Sequence, residues 1–158
     1  MDFTSPTLGE LSFDETFAEV IAYTEDRPQE QYKLIIGTDS QAHFRQDVCF
    51  VTAIIIHRVG KGARYFYKRQ KHRYMESLRQ RIYYETFLSL EVAASMAAKL
   101  AANGNSRLNI EIHLDVGEKG DTKEMIREVV GLVIGSGFRA CIKPLSYGAS
   151  KVADKHTK

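Results

Sequence analysis

The fold of this chain follows from one short segment, Leu34-Ile35-Ile36-Gly37-Thr38-Asp39-Ser40, in which a hydrophobic run leads directly to an aspartate. A second run of the same kind comes much later, Ile110-Glu111-Ile112-His113-Leu114-Asp115-Val116. Both are short, apolar and rich in β-branched residues, as buried strands are. If the two strands lie side by side, Asp39 and Asp115 meet at one edge of a sheet. Carboxylates held that close repel each other unless a cation lies between them, so the pair predicts a divalent-metal site and phosphoester chemistry.

The other predicted elements are read from capping, turn and periodicity signals. Ser12-Phe13-Asp14-Glu15 is a capping box that opens a helix through about Glu25. The turn signal Gly60-Lys61-Gly62 joins two strands into a hairpin, and with the run around Asp39 they form an antiparallel meander. The five predicted strands cover residues 32–39, 48–59, 63–69, 108–116 and 139–145. The helices after the meander cover about 76–102 and, from a second capping box at Asp121, 121–134, and the polar tail 146–158 has room for a short last helix.

This order of elements predicts an α/β fold with a five-stranded mixed sheet flanked by helices. Strands one to three are antiparallel, and strands four and five run parallel to the first, because each returns through a right-handed helical crossover. The first and fourth strands are then neighbours where the direction of connection changes, the usual place for a ligand. We expect a single domain over residues 1–158, with 1–30 as a helical extension and 32–158 as the core.

Three strings in the chain, IIGTDSQ, IHLDVG and the terminal VADKHTK, resemble the ribonuclease H-like superfamily. The likeness covers about residues 33–158 and is greatest to an uncharacterised bacterial group, the YkuK-type ribonuclease H-like proteins. The superfamily holds two Mg²⁺ or Mn²⁺ ions between acids on the first strand, the first long helix, the end of the fourth strand and the C-terminal region. The resemblance implies that the matching ligands here are Asp39, Glu85, Asp115 and Asp154.

The helix position has a competitor. Glu91 lies on the same predicted helix as Glu85, and a helical glutamate is usually solvated. We favour Glu85, because Ile82, Leu88 and Val92 share its side of the helix and point it towards the sheet. His156, two residues past Asp154, is a candidate for proton transfer near neutral pH.

Positive charge is concentrated in one segment, although the whole chain has a net charge of only +2. Residues 58–81 hold nine Lys or Arg and one acid, Glu76. The cations alternate with aromatic side chains, as in surfaces that follow phosphates and stack bases, although a solvated hairpin edge has the same composition. Because the segment leads into the helix that carries Glu85, it predicts contact with RNA, DNA or a hybrid through Arg64, Lys68, Arg69, Lys71 and Arg73.

The remaining signals are weaker. Cys49 and Cys141 lack the spacing of a metal knuckle or redox pair and are expected to be small buried side chains. Glu111 and His113 alternate onto the face of Asp115, and His113 is either a support for the metal ligands or a satisfied histidine on a partly open sheet face. No apolar run reaches the roughly 20 residues of a membrane span, and the N-terminus lacks signal-peptide features, so we expect a cytoplasmic protein without membrane contact.

Together these patterns lead to a functional hypothesis and one alternative. The hypothesis is a nuclease that hydrolyses phosphodiester bonds with two Mg²⁺ or Mn²⁺ ions. The alternative is a catalytically silent module that keeps the fold and binds nucleic acid or protein, because a fold does not dictate an activity.

Overall fold

A computed structural model of the chain describes residues 1–41, 46–105, 108–146, 151–152 and 155–156. Its helices are α1 (Phe13–Asp26), α2 (Leu78–Ala102) and α3 (Ile126–Gly135), with a 3₁₀ turn at Lys123–Met125 before α3. Its strands are β1 (Asp2–Ser5), β2 (Gly9–Ser12), β3 (Tyr32–Gln41), β4 (Val48–Arg58), β5 (Ala63–His72), β6 (Ile110–His113) and β7 (Arg139–Cys141). Among the described residues, none of the helices combines the length and apolar character needed to cross a bilayer.

The strands form one mixed sheet in the order β2-β1-β5-β4-β3-β6-β7. Strands β3, β4 and β5 are the predicted antiparallel meander, with β3 and β4 paired from Tyr32 and Arg58 to Gln41 and Cys49. Strand β6 runs parallel to β3, and β7 runs parallel to β6. The predicted α/β class and the predicted order of these five strands are therefore confirmed.

The sheet has seven strands where the sequence predicted five. The additional pair is an N-terminal hairpin, β1 and β2, which joins the sheet edge where Thr4 pairs with Tyr67 of β5. Phe3 of β1 is only 1% exposed and belongs to the main core. Strands of four residues carry too little alternation to be recognised by periodicity, so a region predicted to be a helical extension also contains this hairpin.

The two predicted capping boxes had different outcomes. At α1 the Ser12 hydroxyl accepts from the Glu15 backbone N–H at 3.1 Å, and the Glu15 carboxylate accepts from the Ser12 N–H at 2.9 Å, as predicted. The box predicted at Asp121 is wrong, because α3 begins only at Ile126. The Thr122 hydroxyl accepts instead from the Gly117 N–H at 3.0 Å, which fastens the loop that follows β6.

Strands β6 and β7 are shorter than predicted, and this sets the position of Asp115. Backbone hydrogen bonds continue past both strands: Leu114 N–H donates to Cys141 O and Lys143 N–H donates to Val116 O, each at 2.8 Å. Asp115 therefore lies in a loop just beyond β6 that is held on both sides by β7 and the residues after it.

The two faces of the sheet are packed differently. One face, with Leu34, Ile36 and Ile54, belongs to a large core shared with α1, α2 and α3. The opposite face carries Ile35 and Ile55, which pack with Tyr65 and with Val152 of the C-terminal tail. We call this second face the tail face, and residues 151–152 and 155–156 of the tail are helical.

Candidate metal centre

Three acids from distant parts of the chain converge at the carboxyl end of β3. Asp39 lies near the end of β3, Asp115 lies two residues past β6, and Glu85 lies on α2. One carboxylate oxygen of each is within 4.8 Å of the other two. The parallel pairing of β3 with β6 ends at Gly37 and His113. Both aspartates lie past this point, where the strands no longer pair, and Glu85 reaches them from the helical side. We call Asp39, Glu85 and Asp115 the acid centre.

Polar contacts between α2 and β3 position Glu85. The Ser89 hydroxyl, one turn further along α2, is 2.8 Å from the Thr38 hydroxyl of β3. The Ser40 hydroxyl donates to the Glu85 carboxylate. Glu85 is only 5% exposed, whereas Glu91 faces solvent. Of the two candidate helix residues, the structure brings Glu85 to the two aspartates.

Burial and mutual repulsion perturb the acid centre. Burial, followed by the charge of Asp115, raises the pKa of Asp39 to about 7. Burial and the charge of Asp39 raise the pKa of Glu85 well above its usual range. These shifts mean that three ionised carboxylates are unfavourable here unless positive charge is added. Oxygen donors alone, crowded in this way, suit a hard cation such as Mg²⁺ or Mn²⁺.

Lys143 is a member of this site that sequence reasoning missed. Its ammonium is 2.7 Å from Asp115, and this hydrogen bond is the main cause that raises the pKa of Lys143. Gly117 leaves room for the lysine, since a Cβ there would come within 3.1 Å of Lys143 Cβ. The register explains the contact, because His113 pairs with Cys141 and this places residue 143 beside residue 115.

The two C-terminal candidates, Asp154 and His156, have different outcomes. Asp154 falls outside the described residues. His156 stacks on Tyr67 of β5 with ring centroids 3.8 Å apart, and its Nε2 is 3.1 Å from the Tyr65 hydroxyl. Burial lowers the pKa of His156. The structure therefore places His156 on the tail face, against the strand that holds the basic segment.

The basic residues of β5 divide between the two faces of the sheet. Asp39 pairs with Val51, and Val51 pairs with Arg69, so Arg69 is on the tail face two strands, or about 10 Å, from Asp39. Lys71 follows on the same face. Lys68 alternates onto the helical face, and Arg64 lies over the Tyr23 ring at 5.5 Å, towards the far end of β5. Arg73 lies just past the strand.

These features define a class of protein. The sheet has an antiparallel meander followed by parallel crossovers, and its acids lie on the first meander strand, the long helix and the end of the next parallel strand. The sequence model of the family described as Ribonuclease H-like matches residues 15–158, and the chain belongs to this family.

A curated relative extends the comparison. The chain is 37% identical over 160 residues to "Uncharacterized protein YkuK" of Bacillus subtilis (strain 168), and the alignment covers 94% of this chain and 92% of that protein. No solved structure matches the chain significantly.

Proposed function

We propose that this protein is a divalent-metal-dependent nuclease that hydrolyses phosphodiester bonds in RNA or DNA. The observation that carries the proposal is the convergence of Asp39, Glu85 and Asp115, each with one carboxylate oxygen within 4.8 Å of the others. Membership of the ribonuclease H-like family supports it. A group of three crowded acids, one buried and two half-buried, is costly to fold, and a function that needs cations there would explain its presence.

In this proposal the acid centre, joined by Asp154 from the tail, holds two Mg²⁺ or Mn²⁺ ions. When bound, such ions stabilise charge on the attacking and leaving oxygens of an in-line displacement. Ser40 fixes the Glu85 carboxylate through its hydroxyl, and Lys143 fixes Asp115. Burial lowers the pKa of His156, which favours its neutral form, and the proposal gives this imidazole the role of proton acceptor.

The basic residues of β5 indicate where the proposed substrate would bind. Arg69 and Lys71 share the tail face with Asp39, so a nucleic-acid backbone that crosses these residues also reaches the acid centre. Arg73 continues the positive charge past the end of β5. Lys and Arg side chains hold phosphates mainly by charge, which gives binding that is insensitive to base sequence and sensitive to salt. We therefore expect the protein to recognise the phosphate backbone of the nucleic acid.

One observation favours the second candidate, a catalytically silent module that binds nucleic acid or protein. The Lys143 ammonium already neutralises part of the acid centre through its contact with Asp115. If the lysine remains there and the raised pKa of Glu85 keeps that carboxyl protonated, the site needs less added positive charge than three ionised carboxylates would. Binding of divalent ions by the acid centre therefore separates the two candidates.

The test is a cleavage assay on labelled single-stranded, duplex, hybrid and branched substrates with Mn²⁺, with Mg²⁺ and with chelator. The nuclease proposal expects cleavage of at least one substrate with metal and none with chelator. Calorimetric titration with Mn²⁺ accompanies the assay. Tight substrate binding without cleavage and without metal binding would instead support the silent module.

A further inference from the structure

A second group of metal-ligand side chains lies outside the acid centre. Glu111 and His113 are two residues apart on β6, so their side chains share the tail face. Cys141 of β7 is the register partner of His113. One ligand atom of each of the three lies within 4.8 Å of the other two. The proposed nuclease centre uses none of these side chains.

The distances bring the three donors around one point. Cys141 Sγ is 3.2 Å from Glu111 Oε1, and His113 Nε2 is 3.6 Å from the same oxygen. Glu111 is 9% exposed, His113 is 8% exposed and Cys141 is half-buried. A thiol, an imidazole and a carboxylate are the three donor types that zinc takes in proteins. The acid centre offers oxygen alone, so the two groups differ in the ion that they suit.

An unpartnered atom gives independent support. His113 Nδ1 is buried and, among the described residues, has no hydrogen-bond partner, a condition that is uncommon in native structures. The Ser146 backbone also interacts with this imidazole. Metal-bound histidines usually donate their second ring N–H to a carboxylate, a backbone carbonyl or water. In His113 the Nε2 atom faces Glu111 Oε1 at 3.6 Å, so Nδ1 is the ring nitrogen left to make such a bond when Nε2 holds a metal ion.

The group also has space in front of it. It lines a cavity of about 420 Å³ on the tail face, with Ile35, Ile55 and Val152 among the other lining residues. This volume accommodates an ion with a water or a small ligand. Three protein ligands with an open fourth position are the arrangement of zinc sites that exchange ligands, whereas purely structural sites are closed by four.

We propose that Glu111, His113 and Cys141 bind one zinc-class transition-metal ion, separate from the ions of the acid centre. The site joins β6 to β7, strands of only four and three residues, at the edge of the sheet. His113 lies two residues before Asp115, so the new site is about 7 Å along the chain from the acid centre.

The test uses cobalt as a spectroscopic substitute for zinc. The full chain is freed of metal with chelator, loaded with Co²⁺, and examined for thiolate-to-cobalt absorption in the near ultraviolet; bound zinc is then measured by competition. Wild type should show the absorption, and Cys141→Ser should lose it. This variant should also bind zinc at least about tenfold more weakly, because the loss of a residue that only supports a metal ligand already weakens binding about ten- to a hundredfold. Cys49→Ser is the matched control, because Cys49 is the second free, half-buried cysteine and should leave the absorption unchanged.

Two further variants make the result specific. Glu111→Gln keeps the size of the side chain and should also weaken zinc binding, with circular dichroism showing that the fold is kept. Asp39→Asn alters the acid centre and should leave the cobalt absorption intact. The proposal is overturned if wild type shows no thiolate absorption, if Cys141→Ser keeps it, or if Glu111→Gln binds zinc as wild type does. Because these readouts measure binding, they do not depend on whether the protein cleaves nucleic acid.

Discussion

The acid centre and the group formed by Glu111, His113 and Cys141 are neighbours, because β6 and the loop just beyond it contribute residues to them. They are nevertheless built in different ways. The acid centre gathers one oxygen donor from each of three separate elements, so it depends on the packing of α2 against the sheet. The second group takes oxygen, nitrogen and sulfur donors from two neighbouring strands, so it depends on one strand register. Strand β6 supplies Glu111 and His113, and the loop just beyond it supplies Asp115. The residues that face each group decide its chemistry.

The two sites also differ in electrostatics. In the acid centre like charges face each other, and the pKa values of Asp39 and Glu85 are raised. In the second group Cys141 donates a hydrogen bond to Glu111, so two of its three side chains attract each other. Replacing a carboxylate by an amide should therefore stabilise the folded protein at the acid centre, where repulsion is relieved, and destabilise it at the second group, where an attraction is lost.

The largest effect is expected at Glu85. Glu85→Gln should lower metal-dependent cleavage at least about a hundredfold, because loss of a metal carboxylate removes several kcal/mol of transition-state stabilisation. Glu91→Gln, on the exposed side of the same helix, should cleave as wild type does. Initial rates at saturating Mn²⁺ provide the measurement. Equal rates for the two variants would remove Glu85 from the site.

The next effect is on stability without metal. Asp39→Asn should raise the free energy of unfolding at pH 8 by about 2 kcal/mol, since each pKa unit corresponds to about 1.4 kcal/mol and the amide must still be buried. Glu111→Gln should lower it by about 1 kcal/mol, because Cys141 loses a charged acceptor. Urea unfolding in chelator measures both. Changes of the same sign would contradict the contrast between the sites.

The pH dependence follows from the direction of the Asp39 shift. The pKa of Asp39 in the folded state, about 7, lies above the unfolded value of 3.8. The contribution of this carboxyl to the stability of the folded state is therefore fully present below pH 3.8 and is lost as the pH rises through 7. The advantage of Asp39→Asn should therefore be large at pH 8 and vanish near pH 4. An advantage that did not change with pH would point to a packing effect instead of relieved repulsion.

A smaller effect is expected from the basic strand. Arg69→Gln with Lys71→Gln should weaken nucleic-acid binding and reduce the slope of log K against log salt by about 1.4 to 1.8, for two phosphate contacts. Lys123→Gln with Arg127→Gln removes the same charge from exposed positions near α3 and serves as the control. Fluorescence anisotropy over a range of salt concentrations gives both slopes. Identical slopes in the two double variants would make β5 a solvated edge only.

The smallest effect is expected at Lys143. Lys143→Met should strengthen Mn²⁺ binding about two- to fivefold, because it removes a cation that competes for Asp115. The side chain of Lys143 is 52% exposed, and an exposed ion pair contributes at most about 1 kcal/mol. Calorimetric titration measures the change. Weaker Mn²⁺ binding in this variant would show that the lysine supports the ion instead of competing with it.

Prediction from sequence succeeded where a local signal determined the outcome. The run ending at Asp39, the turn at Gly60 and the Ser12 capping box were each sufficient to place an element, and the crossover rule then gave the parallel neighbours of β3. The juxtaposition of Asp39 with Asp115 followed from that topology, and the choice of Glu85 over Glu91 followed from helical periodicity.

Apart from the capping box at Asp121, the misses were decided by contacts that are distant in sequence. The β1–β2 hairpin exists because Phe3 packs into a core built by later elements. The capping box at Asp121 failed because Thr122 bonds to Gly117 instead of to a helix. Lys143 and the partnership of Cys141 with Glu111 depend on the exact pairing of β6 with β7, which is known only once the strand ends are known.

Single-turnover cleavage by wild type and Asp115→Asn over a range of Mn²⁺ concentrations tests whether the acid centre performs metal-dependent hydrolysis. If it does, wild-type cleavage rises with Mn²⁺, saturates and is absent in chelator. Asp115→Asn should remain folded and be at least about a hundredfold slower at every concentration. Cleavage by wild type that persists in chelator, or an Asp115→Asn rate equal to that of wild type, would show that the acid centre does not perform metal-dependent hydrolysis.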